Sequence, residues 1–399
     1  MKLSELAASF GVETYPEKYE EVYSSLAPDA KKIFTREYLT AVENKYGCFK
    51  QHFENLVRGG EAVLENDDLA TWIAVIAEFN KVAPLADLKS GGTTFPTNIE
   101  GAGADMMRIF PLIALMERTA EMFYAHGFNL KEVSGIYNVF EISLRLSEAT
   151  LHRPGFTSTY YGWSLVYMRC EMFDYGSFNF QFKKYENKFI ILREKKSGEY
   201  VALATAGRFH RDGKTLGDAG FTDEEGAFDA EFVENDSEFI AHPVKNACVM
   251  AESAVFKKAD YEVALREGDD VIGLHIPRNV DFSDEAIDES FRSGWKIALE
   301  RFPEYSPKLL MCSSWLLDPG LEAILGDQSR IVKFGKRFLR FPGGAANGRG
   351  GYSFVFLGYE ENENLPEDTS LRRKLKAHYL GGGYTYFVPG VITDDSYKF

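Results

Sequence analysis

The sequence predicts an α+β protein of two domains, an all-helical one over residues 1–150 and a mixed α/β one over residues 155–399. Three observations predict it. The chain has 399 residues, more than a single hydrophobic core usually serves. Apolar residues recur at helical spacing through the first 150 positions, and the period shifts to two at Phe178. Between the two regimes stands His152–Thr157 (HRPGFT), whose Pro-Gly pair interrupts any regular element.

Within the first domain, Asp68 to Val82 sets Leu69, Trp72, Ile73, Ile76 and Phe79 on one helical face. The Gly-rich stretch from Gly91-Gly92 to Gly103 predicts a loop. A second helix follows over Asp105 to Tyr124, with Leu112, Leu115, Met116, Met122 and Phe123 in register. Pro111 should kink or restart it, because proline has no N–H to continue the ladder. Gly127 separates it from a third helix over Asn129 to Leu151.

The second domain opens with a helix over Ser158 to Phe173, carrying Trp163, Val166 and Cys170 on one stripe. Phe178, Phe180 and Phe182 then alternate with Asn179 and Gln181, the pattern of a half-buried strand. Lys188–Glu194 and Tyr200–Ala206 predict two more strands joined at Ser197-Gly198, and Asp212-Gly213 a tight turn. Residues 217–238 are acidic and predict exposed loops. Asp270–Pro277 reads as a buried strand. Ser283 to Phe302 is the strongest helix: Ser283 is placed as N-cap, and Asp284 and Glu285 suit the positive end of the dipole. Its apolar stripe is Ile287, Phe291, Trp295, Ala298 and Phe302. Leu309–Leu317, Ile331–Leu339 and Ser353–Tyr359 predict strands, Thr369–Leu380 a last helix, and Tyr384–Ile392 a final strand after Gly381-Gly382-Gly383.

Composition excludes several functions. A net charge of -15 repels phosphate, so neither nucleic acid nor an anionic membrane surface is expected as a partner. Cys48, Cys170, Cys248 and Cys312 form no CxxC pair, which predicts free thiols in a reducing compartment and a cytoplasmic protein. The N-terminus lacks a signal-peptide core, and no apolar run reaches membrane-spanning length. The seven histidines are scattered, so no metal site is predicted. Gly207–Thr215 (GRFHRDGKT) ends like a phosphate-binding loop, but its spacing is one residue too long and no helix follows. It predicts a turn, with His210 exposed on it. The charge distribution is less even. From Gln328 to Gly351 there are six cations and no acid: Arg330, Lys333, Lys336, Arg337, Arg340 and Arg349. Arg372, Arg373, Lys374 and Lys376 follow on the last helix. This is either a set of solvated faces or a local field for a phosphate-bearing ligand.

Several segments occur in an order and spacing that resemble a known family: Gly226–Phe232 (GAFDAEF) running on to His242-Pro243-Val244, Glu267–Pro277 (EGDDVIGLHIP), Cys312–Pro319 (CSSWLLDP), Ser329–Phe338 (SRIVKFGKRF) and Asp368–Leu371 (DTSL). They resemble a bacterial family of two-domain N-acyltransferases, in which a helical domain precedes a GNAT-like C-terminal domain. The resemblance covers residues 155–399. One departure is Arg278-Asn279-Val280-Asp281, where the family usually has a Gly-containing turn. Arg340–Ala345 (RFPGGA) matches the R-x-x-G-x-A pattern with which GNAT enzymes cradle the pyrophosphate of coenzyme A. That pattern needs a helix after it, and a strand is predicted there.

The resemblance implies acetyl-CoA or another acyl-CoA as donor, a small amine as acceptor and no metal. Such a reaction needs a base for the amine, a backbone N–H on the thioester carbonyl and an acid, often Tyr, for the thiolate. His275 ends a buried strand, where open sheets place ligands, and is the base or a hydrogen-bonded structural histidine. Cys312 and Ser313 end the next strand, Cys312 as a nucleophile or both as part of a turn. Trp315 and Asp318 follow as substrate contacts, or as a core residue and a helix cap. Tyr379 is the acid or packs on Leu371 and Leu375. Arg330, Lys333, Lys336, Arg337 and Arg340 would hold the donor's phosphates. The other open readings are a coenzyme-A or small-ligand binding protein without turnover, and a thioester hydrolase using Ser313 or Ser314, which lacks a nucleophile elbow.

Overall fold

In a computed structural model describing residues 1–89, 94–278, 280–345, 347–359 and 362–398, the chain divides into two units, Met1–Phe173 and Asp174–Phe399. The Gly91-Gly92 part of the expected loop, and Asn279, lie outside the described residues.

The first unit is helical. Its central helix, Asp67–Val82, starts where the Asn66 side chain accepts the Leu69 N–H at 3.1 Å. It ends on Arg118, whose guanidinium donates to the carbonyls of Asn80, Lys81 and Ala83, the groups that a helix C-terminus leaves unmet. The partner helix, Phe110–Ala125, restarts at Pro111 as predicted, after a 3-10 turn over Met107–Ile109. The helix expected over residues 129–151 is two, Leu130–Ile136 and Asn138–Leu151. Tyr137 lies between them, buried, with its hydroxyl donating to the Met116 carbonyl. The helix Ser158–Met168, assigned by sequence to the second domain, belongs to the first unit.

The second unit is built on a six-stranded sheet: β1 (Met172–Tyr175, within which the two units divide), β2 (Phe178–Lys184), β3 (Asp270–His275), β4 (Leu310–Ser314), β5 (Phe338–Arg340) and β6 (Val388–Ile392). Their order across the sheet is β1-β2-β3-β4-β6-β5. Only β3 and β4 are shown parallel, and the helix Asp284–Arg301 connects them. That helix lays Ile287, Phe291 and Trp295 on one face of the sheet. Phe180 of β2 fits against Gly294, where an added Cβ would stand 2.1 Å from the ring. Ser283 holds the N-cap position, yet its side chain bonds Asp281 instead of the helix.

A second, antiparallel sheet covers the other face. Its strands run in the order Ala254–Lys257, Glu238–Lys245, Tyr200–Ala204, Phe189–Glu194 and Tyr261–Leu265. The strands at the two ends of this order are joined only by residues 258–260, so the sheet curls on itself. Ile191, Ala202 and Ala204 from it pack with Val271, Met311 and Val391 of the first sheet in one core.

Two predicted strands are corrected. Ile331–Leu339 is the helix Arg330–Lys336 followed by β5. Ser353–Tyr359 is one helical turn, Tyr352–Val355, with an irregular continuation. His210 is buried, not exposed: its ring lies on Phe221 and Nδ1 accepts the Asp212 N–H.

Candidate active site

The parallel pair frames the candidate site. β3 and β4 pair from Ile272–Leu310 through Gly273–Met311 to Leu274–Cys312. Beyond that point each strand continues with its other neighbour alone, β3 to His275–Asn179 on β2 and β4 to Ser314–Val388 on β6. The strands therefore part at their C-terminal ends, and main-chain groups facing the wedge lose their partners in the sheet. Backbone N–H and C=O groups need partners, and an extended ligand can supply them.

Pairing also fixes the faces. Gln181, Lys183, Val271, Gly273 and His275 share the face opposite the long helix, and Met311 joins them through Gly273. His275 sits at the wedge with Nε2 2.8 Å from Gln181 Oε1. Burial, aided by the charge of Lys183, pushes its pKa down to about 4, so the ring is neutral at pH 7. Lys183 crosses the sheet here. A Cβ on Gly273 would stand 3.0 Å from its Cε, so glycine leaves room for the lysine stem. Burial lowers the Lys183 pKa. Ser313 is exposed on β4, and its hydroxyl has no hydrogen bond among the described residues.

The other expected residues are engaged in the framework. Cys312 is buried, on the face of Leu274, and burial pushes its thiol up to about 12, which leaves it protonated and a poor nucleophile. The Ser314 hydroxyl accepts the Leu316 N–H, capping the 3-10 turn Trp315–Leu317. Trp315 is core, packed against Gly351. Asp318 is buried and accepts the N–H groups of Gly320 and Tyr386, both at 2.9 Å. It joins two loops, and desolvation raises its pKa. Tyr379 belongs to the same cluster as Trp315, with its hydroxyl 2.7 Å from Thr385 Oγ1; burial raises its pKa.

Most of the cationic run is engaged in space. Arg337 pairs with Asp284 and Asp288, Lys336 with Glu322 at 2.7 Å, and Arg330 faces Asp281 at 3.7 Å. Arg340 donates to Asn246 and the Leu317 carbonyl. On the last helix, Ser370–Leu380, Arg372, Arg373, Lys374 and Lys376 each donate to a main-chain carbonyl. Lys333 has no ion pair among the described residues. With Arg330 it lines a shallow cavity of about 200 Å³ at the start of the Asp284–Arg301 helix, beside Phe282, Ser283, Asp284 and Glu285. The R-x-x-G-x-A loop is closed by the chain itself. A Cβ on Gly343 would meet the Phe387 carbonyl, and the Ala345 N–H serves the Asp218 carboxylate.

Of the residues expected from sequence, His275 and Ser313 lie where β3 and β4 part; Lys183 and Gln181 share the face of His275 and are not among those expected, Gln181 being read only as the polar phase of an alternating strand. The one available signal was Gly273, a glycine inside a buried strand, which marks a close approach.

A family model described as a GNAT-like C-terminal domain matches residues 172–392, more than half of the chain. No curated protein matches the sequence. Among solved structures, the chain is similar to an acyltransferase in complex with decanoyl-CoA and teicoplanin (15% identity, TM-score 0.65). It is also similar to an acyltransferase in complex with CoA and 10C-teicoplanin (16%, 0.65), and to a mutant acyltransferase in complex with octanoyl-CoA (14%, 0.63). Each match covers 98% of this chain and 99% of the other. At these identities the likeness is one of fold: a helical N-terminal region followed by a strand-rich acyltransferase fold. Among the described residues no helix is long and apolar enough to cross a membrane, and no cluster of His, Cys, Asp or Glu could hold a metal.

Proposed function

We propose, from the premise that this chain belongs to the GNAT-like C-terminal domain family, that it is an acyl-CoA-dependent N-acyltransferase acting on a small amine. The observation that carries this reading is the parting of β3 and β4 beyond Leu274–Cys312. The pantetheine arm of an acyl-CoA carries two amides. Laid in the wedge like an added strand, it would bond the main-chain groups that the two strands no longer share. Its thioester then lies at the mouth, beside His275 and Ser313. His275, neutral at pH 7, takes the amine proton directly or through water. Cys312 has no nucleophilic role, and Trp315, Asp318 and Tyr379 hold the frame.

The donor's phosphates are assigned to the start of the Asp284–Arg301 helix, with Arg330, Lys333 and the helix dipole. Lys336, Arg337 and Arg340 already have partners and are dropped from that role. The acyl chain is proposed to be longer than acetyl. Phe354, 54% exposed, packs edge-on against Phe387. The Arg278 guanidinium reaches the Phe354 carbonyl at 2.7 Å, which ties this aromatic surface to the segment following β3. The octanoyl-CoA and decanoyl-CoA complexes of the fold neighbours agree with a chain of that length. An acyl-CoA donor and four free cysteines fit the cytoplasm.

The weak basicity of His275 favours a second reading, a coenzyme-A-binding protein without turnover. Thermal shift with CoA, acetyl-CoA, octanoyl-CoA and decanoyl-CoA tests both, since ligand at 100 times Kd stabilises by about 2.7 kcal/mol. Stabilisation with thiol release on adding an amine supports the enzyme. Stabilisation without release across an amine panel supports the binding protein. No stabilisation by any of the four would exclude both.

A further inference from the structure

Lys183 is the group beside the wedge that the reading above leaves unused. Its neighbours in the sheet are paired: Lys184 meets Asp270 at 2.6 Å, and Lys308 meets Asp269 at 2.8 Å. Lys183 Nζ has no hydrogen bond or ion pair among the described residues, although the side chain is half-buried. An ammonium in that position gives up part of its hydration and gains no protein partner among the described residues in return. The fold nevertheless makes room for it, because Gly273 leaves its stem a path across β3. The charged and titratable groups around it are few. His275 and Cys312 are both uncharged at neutral pH, and the Glu186 carboxylate attracts Lys183 without bonding it. The result is a lone positive charge held at the base of the site, on the face of His275.

We propose that the Lys183 ammonium stabilises the anion that forms on the donor's sulfur during acyl transfer. The proposal rests on the acyltransferase reading. In the step, the acceptor nitrogen bonds the thioester carbon and the C–S bond breaks. The electron pair of that bond stays on sulfur, which leaves as the coenzyme-A thiolate, and the amine's proton passes to His275. Lys183 contributes charge and forms no covalent bond.

The test needs no acceptor. Free coenzyme A is bound to the full chain, and its thiol is titrated by the ultraviolet absorbance of the thiolate. An opposite charge within reach lowers such a pKa by roughly 1–3 units. In wild type the bound thiol should titrate that far below free coenzyme A. Lys183→Met should return it to the free value while coenzyme A still binds, and Lys183→Arg should keep it low. A wild-type thiol that titrates at the free value overturns the proposal whether or not the Met variant folds. So does an equal shift in wild type and Lys183→Met. Mass spectrometry after incubation with octanoyl-CoA gives a third check: acylation of Lys183 itself would make it a nucleophile and end the electrostatic role. If wild type binds no coenzyme A, the acyltransferase reading itself fails, an outcome distinct from the other three.

Discussion

His275 links the chemistry of the wedge to a measurable stability. Burial, helped by the Lys183 charge, takes its pKa from 6.5 to about 4. Below pH 6.5 the unfolded chain binds a proton that the folded chain refuses until near pH 4. The folded state therefore holds an advantage above pH 6.5, and loses it as pH falls towards 4. At 1.36 kcal/mol for each unit, the loss across the window is about 3 kcal/mol as an upper bound. His275→Gln removes the titrating group and keeps a hydrogen-bonding side chain opposite Gln181. Chemical denaturation of both proteins at about pH 7 and about pH 4.5 measures the term. Wild type should lose up to about 3 kcal/mol more than the variant between the two. Parallel losses would mean that the imidazole titrates normally, and the picture of a buried, neutral ring at the wedge would be wrong. If the ring is the catalytic base, the same shift puts the acid limb of turnover near pH 4 instead of pH 6.5.

Three further outcomes follow from packing and charge. Gly294→Ala drives a methyl group into the Phe180 ring and should destabilise the second unit by about 1–3 kcal/mol in chemical denaturation. Arg330→Glu with Lys333→Glu should weaken octanoyl-CoA binding and flatten its salt dependence in titration calorimetry; Lys336→Glu with Arg337→Glu should lower stability and leave that affinity unchanged, because those cations face Glu322, Asp284 and Asp288. Cys312 should resist iodoacetamide at about pH 8 in the folded protein, as a buried thiol pushed up to about 12 must.

The sequence made the long helix, the strands at 178–184 and 270–275, and the division of the chain into a helical and a strand-rich part legible, because each rests on a local period. It misled where packing overrides the local pattern. Ile331, Val332 and Phe334 look like a strand, yet they wind into a helix that buries Val332, Phe334 and Gly335. Gly335 lets that helix lie close on the turn before it, since an added Cβ would stand 3.1 Å from the Leu316 carbonyl. Ser353–Tyr359 holds enough aromatic residues to read as a strand, but Arg372 Nε donates to the Val355 carbonyl and closes a single helical turn there. In the site, strand ends were readable as positions. Which strands run side by side in parallel, and where they part, depends on the returning strand β6, which lies far away in sequence.

The basic run shows why a charge pattern along a chain is weak evidence for a ligand. The segment 328–351 holds six cations and no acid in sequence, but its spatial neighbours include the acidic start of the Asp284–Arg301 helix. Asp284 lies at the positive end of the helix dipole and beside Arg337, which lowers its pKa. The carboxylates thus serve the helix and the cations together, and a phosphate would have to displace them. Arg330, 3.7 Å from Asp281, and Lys333, without an ion pair among the described residues, lie at the rim of that cluster. On the proposed reading, donor binding would depend chiefly on uncharged main-chain groups where β3 and β4 separate. A site of that kind leaves little trace in composition or in any short motif. The charge proposed to matter for the chemistry, Lys183, has no ion pair among the described residues and lies in a strand whose sequence looks ordinary.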